Sequence, residues 1–247
     1  MEEHNKETKH IGEEEIRIKY NELCKKIELG NDNSNSDDIK EMKKLLVDAL
    51  IKYKAILFGE VVLKSKNKSN YYVATGFLNN AISANIISFL ISDLILSKKL
   101  EFDYLFGASY KGIPIVTLTS QFLLNTNKFN NVFYLYDRKE KKDYGDESVI
   151  IGNLEKNNSS NTQVEKKKVI IIDDIFSYGT ALTGIIEKIK SYNYLQIVAC
   201  IIILNRNEYE INEKNEKTYL KDIFEQKYNI PIYSILTYND DISHLIK

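Results

Sequence analysis

The sequence predicts an α/β fold, a central parallel sheet flanked by helices with a helical extension at the N-terminus. Two observations predict it. Short apolar runs rich in β-branched residues alternate with segments of helical periodicity along most of the 247 residues. Polar loops containing glycine follow several of the apolar runs, as expected where ligands bind beyond the carboxyl ends of parallel strands. The hydrophobic content of 43% is ordinary for a globular chain of this length.

Charge and hydropathy exclude several classes of function. The formal net charge of −1 gives no general attraction to nucleic acid or to anionic membranes. No apolar run approaches transmembrane length, and residues 1–9 are charged and lack an apolar signal core. We therefore expect a cytoplasmic protein with neither a membrane nor a nucleic-acid partner. Cys24 and Cys200 lie in apolar segments and are expected to be buried thiols.

The first 54 residues differ from the remainder. Ile16, Tyr20 and Leu23 fall on one helical face, and a second helical pattern follows the polar break at 31–36. We predict two helices joined by a loop within residues 10–54.

The alternating part begins after residue 54. The predicted strands are 58–63, 71–74, 102–106, 132–136, 149–152, 168–173, 196–204 and 232–236. The predicted helices are 80–98, 113–124, 179–192 and 218–228. The polar segments 137–147 and 155–168 are expected to form loops.

The strongest motif spans residues 169–181. A β-branched run ends in Asp173 and Asp174, and a loop containing Gly179 and Thr180 precedes a helical pattern. Backbone N–H groups at a helix N-terminus bind phosphate, and carboxylates accept hydrogen bonds from sugar hydroxyls or hold a divalent cation through water. The Gly-Thr pair alone is typical of an ordinary helix start. Adjacent carboxylates at a buried strand end repel each other unless a ligand or cation uses them, which favours a phosphorylated sugar as ligand.

Three further loops follow predicted strands or join them. Residues 107–114 combine small residues with Lys111 before a helix, which suits either a diphosphate site or a plain turn. Residues 138–145 form a charged loop or a flap that closes over a polyanion. Residues 64–69, followed by Tyr71 and Tyr72, form an exposed hairpin or a surface that grips an anionic planar ring.

Arg206 follows a long apolar strand pattern. An arginine at a strand end binds a carboxylate through two parallel hydrogen bonds, or it pairs with a nearby acid, here Glu208 or Glu210. Both interpretations stay open at this point.

The order and spacing of these loops resemble the type I phosphoribosyltransferases, and among them the orotate phosphoribosyltransferases. Residues 173–181 resemble the family's phosphoribosyl-diphosphate motif. Residues 110–114 and 138–145 resemble segments specific to the orotate enzymes, the second being their catalytic flap, and 63–72 resembles their N-terminal hood. The resemblance covers about residues 49–237. The residues before 49 and the insertion near 155–168 look like the longer apicomplexan-type versions.

The resemblance implies an N-terminal helical extension over 1–48 and a phosphoribosyltransferase domain over 49–247. The domain would carry a hood at about 55–76, a flexible flap at about 137–148 and the insertion at about 155–168. The implied activity is transfer of 5-phosphoribosyl from phosphoribosyl diphosphate to N1 of orotate, giving orotidine 5′-monophosphate and diphosphate in de novo UMP biosynthesis. The resemblance also implies Mg²⁺ carried mainly by the diphosphate, a homodimer whose flaps are shared between subunits, and a complex with orotidine monophosphate decarboxylase.

The resemblance also assigns site residues. The implied catalytic residues are Lys142, Asp173 and Asp174. The implied contacts of phosphoribosyl diphosphate are Tyr110, Lys111, Arg138, Lys139, Lys142, Tyr144, Asp173, Asp174, Ser177, Tyr178, Gly179, Thr180 and Ala181. The implied contacts of orotate are Lys64, Tyr72, Val73, Ser177 and Arg206. Two residues depart from the family pattern, since Tyr144 stands where the flap usually has histidine and Tyr178 replaces a small residue.

Three alternatives remain at this stage. A purine-base phosphoribosyltransferase would share the Asp173-Asp174 loop but not the flap sequence. A non-catalytic regulator that binds phosphoribosyl diphosphate and DNA would need a basic helical module, whereas residues 1–50 are acidic on balance. The N-terminal helices either dock a partner or pack on their own subunit.

Overall fold

A computed structural model describes residues 11–29, 37–62, 68–138, 149–154, 166–211 and 215–246. The helices are α1 Glu13–Lys26, α2 Asp37–Lys52, α3 Ala81–Ser97, α4 Gly112–Asn125, α5 Thr180–Lys190 and α6 Leu220–Tyr228. The strands are β1 Ile56–Val62, β2 Lys68–Val73, β3 Tyr104–Gly107, β4 Phe133–Asp137, β5 Ile150–Ile151, β6 Lys167–Phe176, β7 Leu195–Asn205, β8 Tyr209–Ile211, β9 Lys217–Tyr219 and β10 Ile232–Thr237.

The central sheet has six strands in the order β10-β7-β6-β3-β4-β5. Five of them are parallel, which confirms the predicted fold class, while β5 runs antiparallel to β4. The amide of Arg138 donates to the carbonyl of Val149 at 2.9 Å and closes the base of the connection between β4 and β5. Because β3, β4, β6 and β7 run in one direction, the loops that follow them share one edge of the sheet.

Both faces of this sheet are buried. On one face Leu105, Ile170 and Ile201 pack in a cluster that includes buried residues of α2, α3 and α4. On the other face Phe106 and Ile171 pack in a cluster that includes buried residues of α5 and α6. This two-sided burial explains why the central strands are continuous apolar runs rather than alternating ones.

The two predicted N-terminal helices are present as α1 and α2. Ile16, Leu23, Met42 and Leu46 are at most 2% exposed and belong to the same cluster as the helices on the first face of the sheet. The Lys128 side chain also donates to the carbonyl of Leu29 at 3.1 Å. The apolar faces of the extension are therefore used within the subunit, which favours packing on its own surface over docking of a partner.

The hood is an antiparallel pair of strands, β1 and β2. Tyr71 and Val73 are buried, whereas Tyr72 between them is 45% exposed, as expected for a strand with one buried face. The turn between these strands lies outside the described residues, as does most of the predicted flap and insertion.

Three features differ from the sequence-based expectation. Strand β6 continues to Phe176, past the predicted end at Asp173, because Ile175 and Phe176 still pair with β7. The β8–β9 hairpin was not predicted, and it takes up the start of the helix predicted at 218. The chain also adds short helical turns over Tyr238–Ile242 and Ser243–Leu245 after β10.

Both cysteines are free thiols, with Cys200 buried and Cys24 half-buried. Burial raises the pKa of Cys200 to about 12, so this thiol stays protonated at neutral pH. None of the helices in the described part of the chain is long and apolar enough to cross a bilayer.

Candidate active site

The carboxyl edge of the sheet brings together side chains from three separate segments. Asp173 and Asp174 lie near the end of β6, Lys111 is the residue before α4, and Thr75 lies in a single helical turn after β2. The Nζ atom of Lys111 is 2.7 Å from Oδ2 of Asp174, and the Thr75 hydroxyl donates to the same oxygen. The hood and the sheet therefore meet at one carboxylate.

The two neighbouring carboxyl groups differ in ionisation. Asp173 is 6% exposed, and burial together with the charge of Asp174 raises its pKa to about 7. Burial also acts to raise the pKa of Asp174, but hydrogen bonds from Lys111 and Thr75 outweigh it and lower that pKa. Near neutral pH the pair thus combines an ionised acceptor with a carboxyl group that exchanges a proton, which suits contact with sugar hydroxyls.

The phosphate loop predicted at 177–181 is built around Gly179. Its φ of 73° is left-handed, and a Cβ atom there would lie 2.6 Å from the Phe224 ring, so only glycine fits. Helix α5 begins at Thr180, with Thr180 and Ala181 exposed and Ser177 half-buried. Because α5 follows β6, its first turn lies at the shared edge of the sheet, and the free N–H groups of a helix N-terminus bind anions. The Tyr178 side chain is 42% exposed.

The loop between β3 and α4 approaches the sheet closely. A Cβ atom on Gly112 would lie 2.6 Å from the carbonyl oxygen of Ile172, and one on Gly107 would lie 2.6 Å from the carbonyl oxygen of Gly112. The two glycines therefore allow Lys111 to sit beside the carboxylates of β6. The peptide bond between Ser109 and Tyr110 is cis, and the Tyr110 side chain is 63% exposed.

Arg206 lies directly after β7 and is only 8% exposed. Its Nε donates to Glu208 at 3.1 Å and its Nη2 donates to the Ser69 hydroxyl at 3.0 Å. The guanidinium carbon lies 4.5 Å from the centre of the Tyr71 ring, which is itself stacked on Tyr238. Of the two acids considered from the sequence, the structure pairs Arg206 with Glu208.

Two cavities open beside these groups. One of about 390 Å³ is mainly apolar and has Lys111 and Asp174 in its wall, together with Thr75, Pro114 and Ile203. The other, of about 280 Å³, lies where the hood meets the β8–β9 hairpin, and Arg206 lines it. Both have dimensions that suit small ligands.

Several predicted site residues cannot be placed in this geometry. Lys64 of the hood and Lys139, Lys142 and Tyr144 of the flap lie outside the described residues. Tyr72 and Val73 are adjacent in β2, so their side chains lie on opposite faces and a single ligand meets only one of the two. Within the predicted flap, Asp137 and Arg138 are described, whereas residues 139–148 are not.

The structure adds residues that the sequence reasoning missed. Thr75 contacts Asp174, and Asp137, a buried residue at the end of β4, contacts Ser109 and Lys188. Asp137 ends an apolar strand pattern just as Asp173 does, so the same sequence signal would have identified it. Thr75 carries no comparable signal, because its contact depends on how the hood folds over the sheet.

The sequence is similar to those of known phosphoribosyltransferases. The model of the phosphoribosyl transferase domain matches residues 74–233. The orotate phosphoribosyltransferase of Yarrowia lipolytica is 31% identical over 204 residues, which is 82% of this chain and 87% of that protein. The orotate phosphoribosyltransferase of Kluyveromyces lactis is 31% identical over 209 residues, covering 84% of this chain and 88% of that protein.

Solved structures share the fold. The crystal structure of orotate phosphoribosyltransferase from Francisella tularensis aligns with a TM-score of 0.62 at 25% identity, covering 81% of this chain and 89% of that one. The UMP synthase of Leishmania donovani aligns with a TM-score of 0.62 at 22% identity, over 90% of this chain and 41% of that one. The chain therefore belongs to the phosphoribosyltransferase family, within its orotate phosphoribosyltransferase branch.

Proposed function

We propose that this protein transfers 5-phosphoribosyl from phosphoribosyl diphosphate to N1 of orotate, giving orotidine 5′-monophosphate and diphosphate in the synthesis of UMP. One observation carries the proposal. The Asp173-Asp174 pair, Lys111 and the open N-terminus of α5 converge on a single edge of the sheet. That edge offers acceptors for ribose hydroxyls, a cation for diphosphate and backbone donors for a 5′-phosphate.

The reaction sets the demands on these groups. As the bond between C1 and the diphosphate oxygen breaks, positive charge develops on the ribose and negative charge on the leaving diphosphate. Asp173 and Asp174 hold the ribose through its hydroxyls. The amides of the loop at 177–181, together with the Ser177 and Thr180 hydroxyls, hold the 5′-phosphate. Fixing both ends of the donor places C1 against the incoming base, which supplies much of the rate by orientation alone.

Cations stabilise the leaving diphosphate. Lys111 lies at the sheet edge, and the flap adds Arg138, Lys139 and Lys142, with the Tyr144 phenol donating to a phosphate oxygen. Closure of the flap excludes water from the electron-poor C1 atom. Lys142 acts mainly in the transition state, because it binds the negative charge that develops on the leaving diphosphate.

A separate group of residues holds orotate. Arg206 binds its carboxylate, while Lys64 and Ser177, together with either Tyr72 or Val73, line the remainder of the ring site. Arg206 suits this role because it is buried and held by several contacts, which gives the acceptor a fixed cation to align with.

Mg²⁺ would be carried mainly by the diphosphate. Proteins hold this ion largely through substrate phosphates and water, so the diphosphate would supply most of its ligands while Asp173 and Asp174 face the ribose. Across the described segments, no group of three or more His, Cys, Asp or Glu side chains is arranged as a metal site. When bound, the ion neutralises charge on the leaving diphosphate.

The domain boundaries and the assembly belong to the same proposal. The extension spans 1–48 in the manner of apicomplexan-type chains, and the phosphoribosyltransferase domain spans 49–247 in a cytoplasmic homodimer. Each flap completes the partner's site, so an inactive Lys142 variant mixed with an inactive Asp173 variant regains activity once subunits exchange. Absence of recovery after confirmed exchange contradicts shared sites.

A complex with orotidine monophosphate decarboxylase is the last part of the proposal. Because the apolar faces of α1 and α2 are buried within the subunit, the contact uses their polar faces. Co-elution of the two purified proteins on size-exclusion chromatography tests it, and separate elution at micromolar concentration contradicts it.

The deciding experiment follows orotate by its ultraviolet absorbance, which falls when phosphoribosyl diphosphate and Mg²⁺ are added. Diphosphate release is measured in parallel with orotate, hypoxanthine and adenine as acceptors. Release with a purine but not with orotate identifies a purine-base enzyme. Binding of phosphoribosyl diphosphate without release in any arm identifies a non-catalytic regulator.

A further inference from the structure

A second buried carboxylate lies at the same edge of the sheet. Asp137 is the last residue of β4 and is only 5% exposed. Its Oδ1 accepts a hydrogen bond of 2.9 Å from the Ser109 amide, and its carbonyl oxygen accepts from the Ser109 hydroxyl. Ser109 lies two residues before Lys111, so Asp137 holds the loop that carries this lysine.

The other oxygen of Asp137 reaches a different element. Oδ2 lies 2.5 Å from Nζ of Lys188, which also donates to the carbonyl of Arg138 at 3.4 Å. Lys188 lies near the C-terminal end of α5, the helix whose first turn forms the phosphate loop. One carboxylate and one ammonium thus join three segments that meet the donor: the Lys111 loop, the root of the flap at Arg138, and α5.

We propose that Asp137 and Lys188 are a positioning pair that sets the distance and orientation between the diphosphate-binding loop and the 5′-phosphate-binding helix. The inference rests on the proposed function, since it concerns how that donor is held. A buried carboxylate whose two oxygens both accept hydrogen bonds is held rigidly. Removing Asp137 or Lys188 leaves the other charge unpaired, so the segment that carries it can shift. Neither side chain touches the reacting atoms, so the pair acts through Ser109, Arg138 and α5.

The test compares Lys188→Met and Asp137→Asn with the wild-type protein. The KM for phosphoribosyl diphosphate should rise about tenfold and kcat should fall about tenfold, while the KM for orotate changes less than about twofold, because a small displacement of the donor site is enough to misalign C1. Lys188→Arg keeps the charge and should restore most of the activity. Lys190→Met is the matched control, since Lys190 is on the same helix, exposed, and contacts only the Tyr228 ring among the described residues.

The double variant Asp137→Asn/Lys188→Met separates positioning from simple charge balance. It buries no uncompensated charge, so it should fold with a melting temperature near that of the wild type, yet the KM for phosphoribosyl diphosphate should stay raised. Recovery of wild-type kinetics in the double variant would overturn the proposal. Equal rises in both KM values, tracking a lowered melting temperature, would also overturn it.

Calorimetric binding of phosphoribosyl diphosphate distinguishes failure of this inference from failure of the proposed function, because it needs no acceptor base. If the wild type binds the donor but does not consume orotate, the proposed function fails, and weaker binding by Lys188→Met still supports the positioning pair. Wild-type affinity in Lys188→Met overturns the pair whatever the acceptor. A wild-type chain that does not bind the donor overturns both.

Discussion

The two cation–carboxylate pairs of the candidate site have opposite characters. Lys111 meets Asp174 at 2.7 Å with its side chain half exposed, whereas Arg206 meets Glu208 at 3.1 Å with its side chain 7% exposed. Lys111 contacts Asp174 at the end of a flexible side chain, while Arg206 is also held by Ser69 and by the face of Tyr71. In each pair a basic side chain contacts an acid, but within the described part of the chain only Arg206 is held in a fixed position by further contacts.

This difference matches what each cation is proposed to do. A half-exposed ammonium can leave Asp174 and follow charge as it develops on a leaving group, which is where stabilisation accelerates a reaction. A buried, stacked guanidinium keeps its geometry and thus suits recognition of a substrate group whose charge does not change. The two pairs predict different kinetic consequences when each is altered.

Asp173, which neighbours the Lys111–Asp174 pair, gives the largest expected effect, and this effect is on the free energy of unfolding. The pKa of Asp173 is raised from 3.8 to about 7 in the folded protein, so the native state holds a proton that the unfolded chain releases. This contribution to the free energy of unfolding is fully present below about pH 4 and is lost as the pH rises to about 7, by up to about 4 kcal/mol in the ligand-free protein. Urea unfolding of the wild type and Asp173→Asn at pH 4 and pH 8 measures it.

Asp173→Asn should lack most of that pH dependence. The relevant quantity is the difference between the two proteins at each pH, since groups remote from Asp173 titrate equally in both. Parallel stability curves for the two proteins would show that Asp173 is ionised in the native state at neutral pH.

Lys111→Met tests the exchangeable cation. We expect kcat to fall about 100-fold, corresponding to about 2.7 kcal/mol of lost transition-state stabilisation, with a smaller change in the KM for orotate. Steady-state kinetics with both substrates measure this. Lys221→Met is the matched control, because Lys221 pairs with Glu225 at 2.9 Å within α6. A Lys111 variant with wild-type kcat would mean that its pairing with Asp174 is only structural.

Arg206→Lys tests the fixed cation. The KM for orotate should rise about tenfold while kcat changes less than about threefold, because a lysine supplies the charge but not the planar fork. The KM for phosphoribosyl diphosphate serves as the internal control and should not move. An unchanged KM for orotate would show that Arg206 only joins the hood to the sheet.

Ser69→Ala tests one support of the fixed cation and gives the smallest expected effect. Loss of one hydrogen bond to Arg206 should raise the KM for orotate about threefold, a cost below about 1 kcal/mol. Ser97→Ala is the control, since the Ser97 hydroxyl bonds only to a carbonyl of its own helix among the described residues. An effect as large as that of Arg206→Lys would assign Ser69 a direct substrate contact.

The sequence predicts the residues of the Lys111–Asp174 pair more completely than the surroundings of the Arg206–Glu208 pair. Asp173 and Asp174 are identifiable because an apolar strand pattern ends in two carboxylates, and Lys111 because small residues and a helix start surround it. The neighbours of Arg206 were predicted only in part: Glu208 is two residues away, but Tyr71 and Ser69 belong to the hood. The end of β6 was misplaced because its last residues are held by pairing with β7 rather than by local pattern.

The sequence by itself determined the fold class, the order of the strands and helices of the central sheet, and the loops that share its carboxyl edge, because these follow from local periodicity and turn chemistry. Only the tertiary structure decided which side chains meet. Thr75 and Asp174 are 99 residues apart, and Ser69 and Arg206 are 137 apart. Such contacts depend on strand order and on how the hood packs over the sheet, which no local pattern encodes.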